Sequence, residues 1–467
     1  MSVSEEAIQF GTDGVRGPWG EALTPEIGYK LGAAAVEVTG AQVIVMVGDT
    51  RDFNGELAAA VMQGIMAEGA HPLNIGVAPT PAAAYIASIL GAREGRRYGA
   101  ISLSASHNPH TDAGFKLFDV GGLKLDDSQT RKVEAAANGY HRSFREHMAP
   151  VTAPHARDIY TDYLLSTIDE GLRQDGFLSG KKIVVDAANG AAYLTAPDVL
   201  FALGASVVEL GTDFKQPINQ GLGATHPEAM KEKTAASRAD YGLALDGDAD
   251  RLMAAVPSST GEVRLLDGDD SLHILVNGLN RLGRFHPRNV VVTDYTNFGF
   301  RQAMEAQGVK VEVVDNGDRY ILERMLPNGY LLGGEQTGHT LLNNVALEKG
   351  VVLSGDGTLT AIKQLELAAL TDQTIDQMAQ WEKYPSELEA VVLPKGVNGK
   401  VLMKRADIQA ALDQATAVLG TSGRHHVRPS GTEPKVRVLV EHPDQATAQA
   451  MNRWLRDVIT AAASETK

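Results

Sequence analysis

Three aspartates at alternate positions carry the strongest chemical signal in the sequence. Asp246, Asp248 and Asp250 directly follow the apolar run YGLAL, which is typical of a buried strand. Carboxylates this close repel one another unless a cation lies among them, and hard oxygen ligands favour Mg²⁺ or Ca²⁺. We therefore predict a divalent-cation site in this segment, the aspartate loop (residues 246–251).

Three other kinds of site share part of this pattern. An EF-hand loop needs glycine at its sixth position and glutamate at its twelfth, where this chain has Arg251 and Pro257, so we exclude it. A phosphatase of the haloacid dehalogenase type also carries D-x-D after a strand, but usually has Thr or Val where this chain has Asp250. A solvated acidic turn is the simplest alternative.

The stretch GAISLSASHNP places Ser102, Ser104 and Ser106 at alternate positions before His107. Because side chains alternate sides along a strand, the three serines share one face. We predict that Ser106 is the last residue of the strand and a nucleophile presented at its C-terminal end. The alternative is a half-buried strand that ends in an ordinary Asn-Pro turn. The predicted strand end and the turn that follows it are together named the serine loop (residues 104–109).

The glutamate loop (residues 335–339) follows two glycines that permit close backbone approach. Its Glu335 and Thr337 supply a carboxylate and a hydroxyl that suit the hydroxyl groups of a sugar. His339 could donate a hydrogen bond to a phosphate, although a lone histidine is more often structural.

A fourth loop near the C-terminus, the Arg428 loop (residues 428–434), reads RPSGTEP. One guanidinium, two hydroxyls and successive backbone N–H groups suit a phosphate, although Ser-Gly turns are common. The residues are Arg428, Ser430, Gly431 and Thr432.

Near the N-terminus, FGTDGVRG places Arg16 in a turn-forming stretch. The segment after it predicts a helix with Thr24 as the N-cap and Pro25 in the first turn.

Three segments repeat the order strand, polar turn, helix, strand, and they begin at Ala41, Lys181 and Arg288. Each opens with a Val/Ile-rich run that is typical of a strand buried on both faces of a mostly parallel sheet. In each repeat a further strand leads into the serine, aspartate or glutamate loop. We therefore predict three related α/β domains whose loops meet at one cleft, because ligands bind at that end of such sheets.

From Tyr384 onward, short strands alternate with helical stretches, which indicates a smaller C-terminal α+β domain. The predicted fold is thus three related α/β domains with mixed sheets and a C-terminal α+β domain around a central cleft. The predicted domains are 1–155 with the serine loop, 156–257 with the aspartate loop, 258–372 with the glutamate loop, and 373–467 with the Arg428 loop.

The composition is that of a globular protein, with 43% hydrophobic and 22% charged residues among 467. A net charge of -15 argues against nucleic acid or an anionic membrane as partner. The N-terminus has no secretory pattern, no apolar run is long enough to span a bilayer, and there is no cysteine. We expect a cytoplasmic protein without thiolate or disulfide chemistry.

Taken together, FGTDGVRG, SASHNP, DGDADR, GEQTGH and RPSGTEP resemble the α-D-phosphohexomutase family. They span residues 10 to 434, and their joint occurrence is far more specific than any one of them. THPE, GDRY and SGDG are similar to the branch that acts on glucosamine phosphates. The resemblance implies four domains around a central cleft. It also implies conversion of glucosamine 6-phosphate to glucosamine 1-phosphate, feeding UDP-N-acetylglucosamine synthesis.

The family transfers the phosphoryl group through a phosphoserine and a bisphosphorylated sugar, and the resemblance assigns roles by motif. Ser106 would be the phosphorylated serine and, with Asp246, Asp248 and Asp250, would hold one Mg²⁺. The other catalytic residues would be His107, Lys116, Arg16 and Arg251. The substrate-binding residues would be Glu335, Thr337, His339, Arg319, Arg428, Ser430, Gly431 and Thr432.

Three positions depart from the family's usual pattern: Thr337 and Ala224 each replace a usual serine, and Ala113 replaces a common asparagine. Thr337 keeps the hydroxyl, so the departures bear on sugar preference more than on the transfer step. The alternatives are phosphomannomutase/phosphoglucomutase activity, a haloacid dehalogenase-like phosphatase and a non-catalytic sugar-phosphate binder. The expected partners are a hexosamine phosphate and its 1,6-bisphosphate, in a monomer or homodimer.

Overall fold

A computed structural model describes residues 7–11, 13–142, 152–343, 354–430 and 433–466. The chain divides into two compact units. Unit 1 comprises Met1–Thr293 and Val314–Ala379, and unit 2 comprises Asp294–Val313 and Gln380–Lys467.

The first sheet of unit 1 is mixed and has the strand order β1-β5-β4-β2-β3. Strand β2 is parallel to β3 and β4, whereas β5 is antiparallel to β4 and β1. Its elements are β1 (Val15–Pro18), α1 (Pro25–Thr39), β2 (Val43–Gly48), α2 (Asn54–Ala67), β3 (His71–Val77), α3 (Thr80–Glu94), β4 (Tyr98–Leu103), β5 (Asp112–Phe118) and α4 (Asp127–Asn138).

Helix α1 begins as predicted, because Thr24 Oγ1 accepts a hydrogen bond from Ile27 N at 3.2 Å and Pro25 occupies the first turn. Glycines let α1 and α2 approach closely. A Cβ at Gly32 would lie 2.3 Å from the Val61 carbonyl oxygen, so any side chain there would separate the helices.

The second sheet, with order β10-β9-β8-β6-β7, is also mixed, since β6 is parallel to β7 and β8 while β9 is antiparallel to β8. Its elements are α5 (Arg157–Ser166), α6 (Glu170–Asp175), β6 (Lys182–Asp186), α7 (Thr195–Ala202), β7 (Ser206–Leu210), α8 (Glu228–Ser237), β8 (Tyr241–Leu245), β9 (Leu252–Pro257) and β10 (Val263–Leu266).

The third α/β segment continues with α9 (Gly268–Arg281), β11 (Asn289–Thr293), α10 (Phe298–Ala306), β12 (Lys310–Val314), α11 (Asp318–Asn328), β13 (Leu332–Gly334), β14 (Thr340–Leu342), α12 (Gly357–Thr371) and α13 (Ile375–Met378). Strand β13 is parallel to β11 and antiparallel to β14, so this sheet is mixed as well. Helix α10 and most of β12 belong to unit 2.

The rest of unit 2 is an antiparallel sheet of order β15-β17-β16 with helices. Buried Val436, Val438 and Val440 of its central strand pack in one core with residues of the two long helices. Its elements are β15 (Ser386–Val392), α14 (Gly399–Leu402), α15 (Ala406–Leu419), β16 (Arg424–Pro429), β17 (Lys435–Glu441) and α16 (Gln445–Glu465). The predicted fold class, α/β with mixed sheets and a C-terminal α+β region, is confirmed.

Within unit 1, the serine loop follows β4, the aspartate loop follows β8 and the glutamate loop follows β13. The three loops therefore leave the C-terminal ends of strands, where ligands bind in α/β sheets. Among the described residues, no helix is both long and apolar enough to cross a membrane.

Candidate functional site

Ser106 has an unusual backbone conformation, with φ of 52° in the left-handed region. Residues other than glycine adopt this region at a cost of about 1–2 kcal/mol. The prediction that Ser106 is the last strand residue is wrong, because β4 ends at Leu103. Pairing with β5 stops at Ser102, and beyond it the Ser106 N–H donates to Ser104 Oγ at 2.9 Å instead of to a strand.

Two buried side chains fix the carbonyl groups of the serine loop. The Ser106 carbonyl oxygen accepts hydrogen bonds from Arg51 Nη2 at 3.2 Å and from Asn219 Nδ2 at 2.8 Å. The same two donors reach the Asn108 carbonyl oxygen, both at 3.0 Å. With both carbonyls held, the left-handed turn is stabilised and the direction of the Ser106 side chain is set.

The Ser106 hydroxyl is buried and points at the aspartate loop. Its Oγ donates to Asp246 Oδ2 at 2.6 Å and lies 3.2 Å from His107 Nδ1. The structure therefore brings the predicted nucleophile and the predicted cation site into direct contact.

The other two serines of the alternating face have different partners. Ser104 Oγ donates to Asp49 Oδ2 at 2.5 Å. Ser102 Oγ lies 2.7 Å from Thr80 Oγ1, which donates to Asp248 Oδ2 at 2.5 Å. Two of the three serine hydroxyls therefore donate directly to a buried aspartate, and the third contacts a threonine that does so.

The three aspartates of the aspartate loop are each 1% exposed, and one ligand oxygen of each lies within 4.8 Å of the others. Burial, with the charges of Asp250 and Asp248, raises the pKa of Asp246 to about 8. Asp248 Oδ1 and Asp250 Oδ1 are buried with no hydrogen-bond partner among the described residues. Buried carboxylates clustered this closely fit a hard divalent cation, so this donor set could bind a metal.

Lys116 lies between the aspartate loop and the N-terminal turn. Its Nζ is 2.6 Å from Asp248 Oδ2, 2.9 Å from Asp250 Oδ2 and 3.0 Å from Asp13 Oδ2. Burial alone would lower its pKa, but these three carboxylates raise the pKa of Lys116 well above its usual value. Lys116 is therefore a cation at any physiological pH.

A second arm connects the same carboxylates through Lys124. Its Nζ lies 2.6 Å from Asp13 Oδ1 and also contacts Asp318. His339 joins the arm to the aspartate loop, with Nε2 3.1 Å from Asp318 Oδ2 and Nδ1 3.5 Å from Asp250 Oδ1. With Lys116, these groups form a closed ring of alternating charges, the charge ring (Asp13, Lys116, Asp250, His339, Asp318 and Lys124).

The charge ring shifts the pKa of its members. Burial would lower the pKa of His339, but Asp250 and Asp318 raise it to about 10. Burial would raise the pKa of Asp318, but Lys124 and His339 lower it below its usual range. His339 is thus an imidazolium at neutral pH and balances the carboxylates on either side.

The remaining predicted catalytic residues, His107, Arg16 and Arg251, contact Ser106 or nearby carboxylates. Burial and the nearby cations Arg251 and Arg16 lower the pKa of His107 to about 4, so its imidazole is neutral. Arg16 pairs with Asp13. The Arg251 side chain lies 3.8 Å from Asp250 Oδ1, and its backbone N–H donates to Asp246 at 3.1 Å.

The glutamate loop lies against the aspartate loop, because Leu252 N donates to the Gly338 carbonyl oxygen at 3.0 Å. Glu335 Oε1 accepts from Gly317 N at 3.0 Å, and Thr337 Oγ1 lies 3.4 Å from Glu335 Oε2. The Thr337 side chain is exposed, so its hydroxyl is accessible to a ligand.

Arg319 contacts residues outside the aspartate loop. It pairs with Asp127 at 2.6 Å and donates to Tyr320 Oη at 3.0 Å. It shares the lining of a small cavity of about 30 Å³ with Lys116 and Lys124 of the charge ring.

In unit 2, Arg428 and Ser430 are half-buried. Arg428 Nε donates to Tyr295 Oη at 3.1 Å, and Ser430 Oγ accepts from Glu433 N at 3.3 Å. Gly431 and Thr432, also predicted to bind substrate, lie outside the described residues.

Sequence reasoning did not single out several residues that the site uses. Asp13 and Asp318 lie inside FGTDGVRG and GDRY, so their motifs could have indicated them. Nothing in the local sequence marks Thr80, Arg51 or Asn219, because each matters only through a contact with a distant segment.

Four family domain profiles match the chain. They are described as Phosphoglucomutase/phosphomannomutase alpha/beta/alpha domain I at residues 7–143, domain II at 158–260, domain III at 267–384 and the C-terminal domain at 388–457.

Curated relatives match over nearly the full length. A phosphoglucosamine mutase from Desulforudis audaxviator is 38% identical over 97% of this chain and 97% of its own. One from Frankia casuarinae is 39% identical over 97% of this chain and 98% of its own.

Solved structures share the fold. A phosphoglucomutase/phosphomannomutase family protein from Burkholderia thailandensis has a TM-score of 0.76 at 23% identity, covering 97% of both chains. An Aspergillus fumigatus N-acetylphosphoglucosamine mutase, solved with GlcNAc-6P and magnesium, has a TM-score of 0.67 at 17% identity, covering 98% of this chain and 97% of its own. The full-length matches and the family profiles agree: the chain belongs to the α-D-phosphohexomutase family.

Proposed function

We propose that the chain interconverts glucosamine 6-phosphate and glucosamine 1-phosphate through a phosphoserine at Ser106 and a bisphosphorylated sugar. The observation that carries the proposal is the Ser106 hydroxyl 2.6 Å from Asp246, in a buried cluster of three carboxylates. Family membership makes the chain an isomerase of the phosphohexomutase type. Phosphoglucosamine mutases at 38% and 39% identity support the amino sugar as substrate.

The proposed reaction has two phosphoryl transfers. In the first, the bond between phosphorus and Ser106 Oγ breaks and a bond from phosphorus to O1 of glucosamine 6-phosphate forms; the O1 proton leaves to a base, and Ser106 Oγ takes up a proton to become a hydroxyl. The 1,6-bisphosphate then turns in the site. In the second, the bond between phosphorus and O6 breaks and a bond from phosphorus to Ser106 Oγ forms; the Ser106 hydroxyl proton leaves to a base, O6 takes up a proton, and glucosamine 1-phosphate leaves with Ser106 phosphorylated again.

The charge states of the neighbouring groups support a division of labour. His107 is neutral and 3.2 Å from Ser106 Oγ, so we assign it to accept a proton. Lys116 is held as a cation by three carboxylates, so we assign it to offset phosphoryl charge, and its part in proton transfer rests on the family resemblance. Arg16 and Arg251 add positive charge near His107, whose pKa they lower.

We assign one Mg²⁺ to Asp246, Asp248 and Asp250 together with an oxygen of the Ser106 phosphate. When bound, the ion would neutralise charge on the phosphoryl oxygens. The close approach of the three buried carboxylates, and Asp248 Oδ1, which has no hydrogen-bond partner among the described residues, support this assignment.

The remaining predicted residues are assigned to substrate binding. Glu335 and Thr337 would hold sugar hydroxyls, and His339 and Arg319 would line the sugar-phosphate site. The distal phosphate would bind to Arg428, Ser430, Gly431 and Thr432. We propose that the four predicted domains, 1–155, 156–257, 258–372 and 373–467, each carry one of the four loops.

The test is an isomerisation assay with a panel of hexose 6-phosphates. We expect the highest kcat/KM for glucosamine 6-phosphate and lower values for mannose and glucose 6-phosphates. Higher kcat/KM for mannose 6-phosphate would replace the proposal with the second candidate, phosphomannomutase/phosphoglucomutase, the two activities named in the descriptions of the four family profiles. Release of inorganic phosphate without isomerisation would indicate a phosphatase.

We also propose a cytoplasmic location and a monomeric or homodimeric state, on the sequence arguments given above. Fractionation of the source cells and light scattering of the purified protein test these two proposals.

A further inference from the structure

Strand β16 directs two arginines and a histidine toward the segment that precedes α10. Arg424, His426 and Arg428 occupy alternate positions and share one face of the strand. Arg424 Nη2 donates to the Thr296 carbonyl oxygen at 2.7 Å. His426 meets the Tyr295 ring edge-on, with 5.8 Å between ring centroids.

The Tyr295 side chain contacts Arg428 in two ways. The Arg428 Cζ lies 4.9 Å from the centroid of the Tyr295 ring, and Nε donates to Tyr295 Oη at 3.1 Å. Within the described part of the chain, this is the one side-chain hydrogen bond recorded for Arg428. The guanidinium is thus held by its Nε, and its two terminal nitrogens are left for another acceptor.

The backbone around Tyr295 is itself fixed. Asn297 caps α10 through Oδ1, which accepts from Gly299 N at 2.9 Å, and its Nδ2 donates to Glu441 Oε1 at 3.1 Å. Glu441 Oε2 accepts from Arg424 Nε at 2.5 Å. A tyrosine anchored in this way can restrict an arginine whose long side chain would otherwise sample many rotamers.

We propose that Tyr295 is a positioning residue for Arg428, which orients the guanidinium so that its Nη1 and Nη2 bind the distal phosphate of the sugar as a parallel pair. The inference rests on the proposed function for the identity of that phosphate. An arginine held before the ligand arrives loses less conformational entropy on binding, so the expected benefit lies in affinity. Tyr295 itself is not assigned a contact with the substrate.

The test measures binding of glucosamine 6-phosphate by calorimetry to the full chain carrying Ser106→Ala, in which no phosphoryl transfer occurs. Tyr295→Phe keeps the ring and loses the hydroxyl, and we expect its Kd to rise about 3-fold. Tyr295→Leu loses both contacts, and we expect a rise of about 10- to 30-fold. In an Arg428→Ala background, the same Tyr295→Leu change should alter Kd less than about 2-fold, because the pair acts as one unit.

Kinetics of otherwise wild-type chains supply a second readout. We expect Tyr295→Leu to raise KM while kcat stays within about 3-fold, with Tyr295→Phe intermediate. Tyr140→Phe, which removes a hydroxyl that donates to Glu68 at 2.8 Å, is the matched control and should change neither constant.

An unchanged Kd for Tyr295→Leu would overturn the inference. So would an equal loss with and without Arg428, because it would show that Tyr295 stabilises unit 2 without orienting the guanidinium. If the affinity losses depend on Arg428 as expected but the wild-type chain isomerises no hexose phosphate, the proposed function is overturned and the inference is upheld.

Discussion

The site around Ser106 and the loop around Arg428 treat their charged groups differently. In unit 1, Asp246, Asp248, Asp250 and Lys116 are at most 2% exposed, and most of their polar atoms are already bonded to other parts of the protein. In unit 2, Arg428 is half-buried and is held by one aromatic residue.

The difference indicates that the Ser106 site keeps a fixed geometry, whereas the Arg428 loop is suited to bind a charged ligand. Buried, mutually paired charges keep fixed positions because leaving them unpaired is costly. A half-buried guanidinium with terminal donors to spare gains most of its binding partners from the ligand. Changes in the buried site should therefore affect stability as well as turnover, and changes at Arg428 should affect mainly binding.

The largest effect is expected at the aspartate loop. Asp248→Asn removes one charge from the predicted cation site and should lower kcat by about 10³-fold, since a bound metal contributes several kcal/mol to such transfers. It should also weaken the response of the rate to added Mg²⁺. The exposed Asp213→Asn variant is the control. Full wild-type activity in excess chelator would contradict the prediction.

The largest effect on stability is expected when the charge ring loses one of its charged members. Lys124→Met leaves Asp13 and Asp318 without a shared cation and should lower the free energy of unfolding by about 3 kcal/mol. Chemical denaturation measures it. Lys215→Met breaks an exposed pair with Asp213 and should leave the free energy unchanged. Equal stability of both variants would show that the ring is not a structural unit.

At the Arg428 loop, Arg428→Lys replaces a planar fork with a single ammonium group. We expect kcat/KM to fall about 10- to 150-fold, mostly through KM, because the contact exists before and during transfer. Forward and reverse reactions should suffer alike. The control within unit 2 is Arg405→Lys, at a half-buried arginine that pairs with Asp407 and Glu465. A loss confined to one direction would mean that the distal phosphate is held elsewhere.

The smallest effect is a pH dependence of stability from His339. Its pKa is raised from 6.5 to about 10 on folding, so its stabilisation is full below pH 6.5 and is lost as the pH rises toward 10. With this group alone considered, the free energy of unfolding should fall by about 1 kcal/mol per pH unit between pH 7 and 9. Denaturation measured with chelator present should show this slope in wild type. The slope should be absent in His339→Gln, and a slope that persists there would assign it to another group.

Local sequence was enough to predict the features that local chemistry controls. Thr24 and Pro25 start α1 because a hydroxyl cap and a fixed φ act within one turn. Three aspartates at alternate positions after an apolar strand could be predicted to cluster, and they do.

The features that sequence analysis missed depend on distant segments. Lys124 and Asp13 are 111 positions apart, and Asn219 and Ser106 are 113 apart. Whether a lysine or an asparagine contacts a residue so far away in the sequence depends on how the sheets pack, and no short motif predicts that packing. The end of β4 at Leu103 was missed for a related reason, because the carbonyl contacts that stabilise a left-handed Ser106 come from Arg51 and Asn219.

The central claim is that Ser106 carries the transferred phosphoryl group, and phosphopeptide mapping tests it most directly. Wild type and Ser106→Ala would be incubated with a 1,6-bisphosphorylated sugar and Mg²⁺, digested and analysed by mass spectrometry alongside isomerisation assays. We predict phosphate on Ser106 in wild type, none in the variant, and loss of nearly all isomerisation with it. Phosphate on Ser104, or isomerisation that persists in Ser106→Ala, would contradict the account.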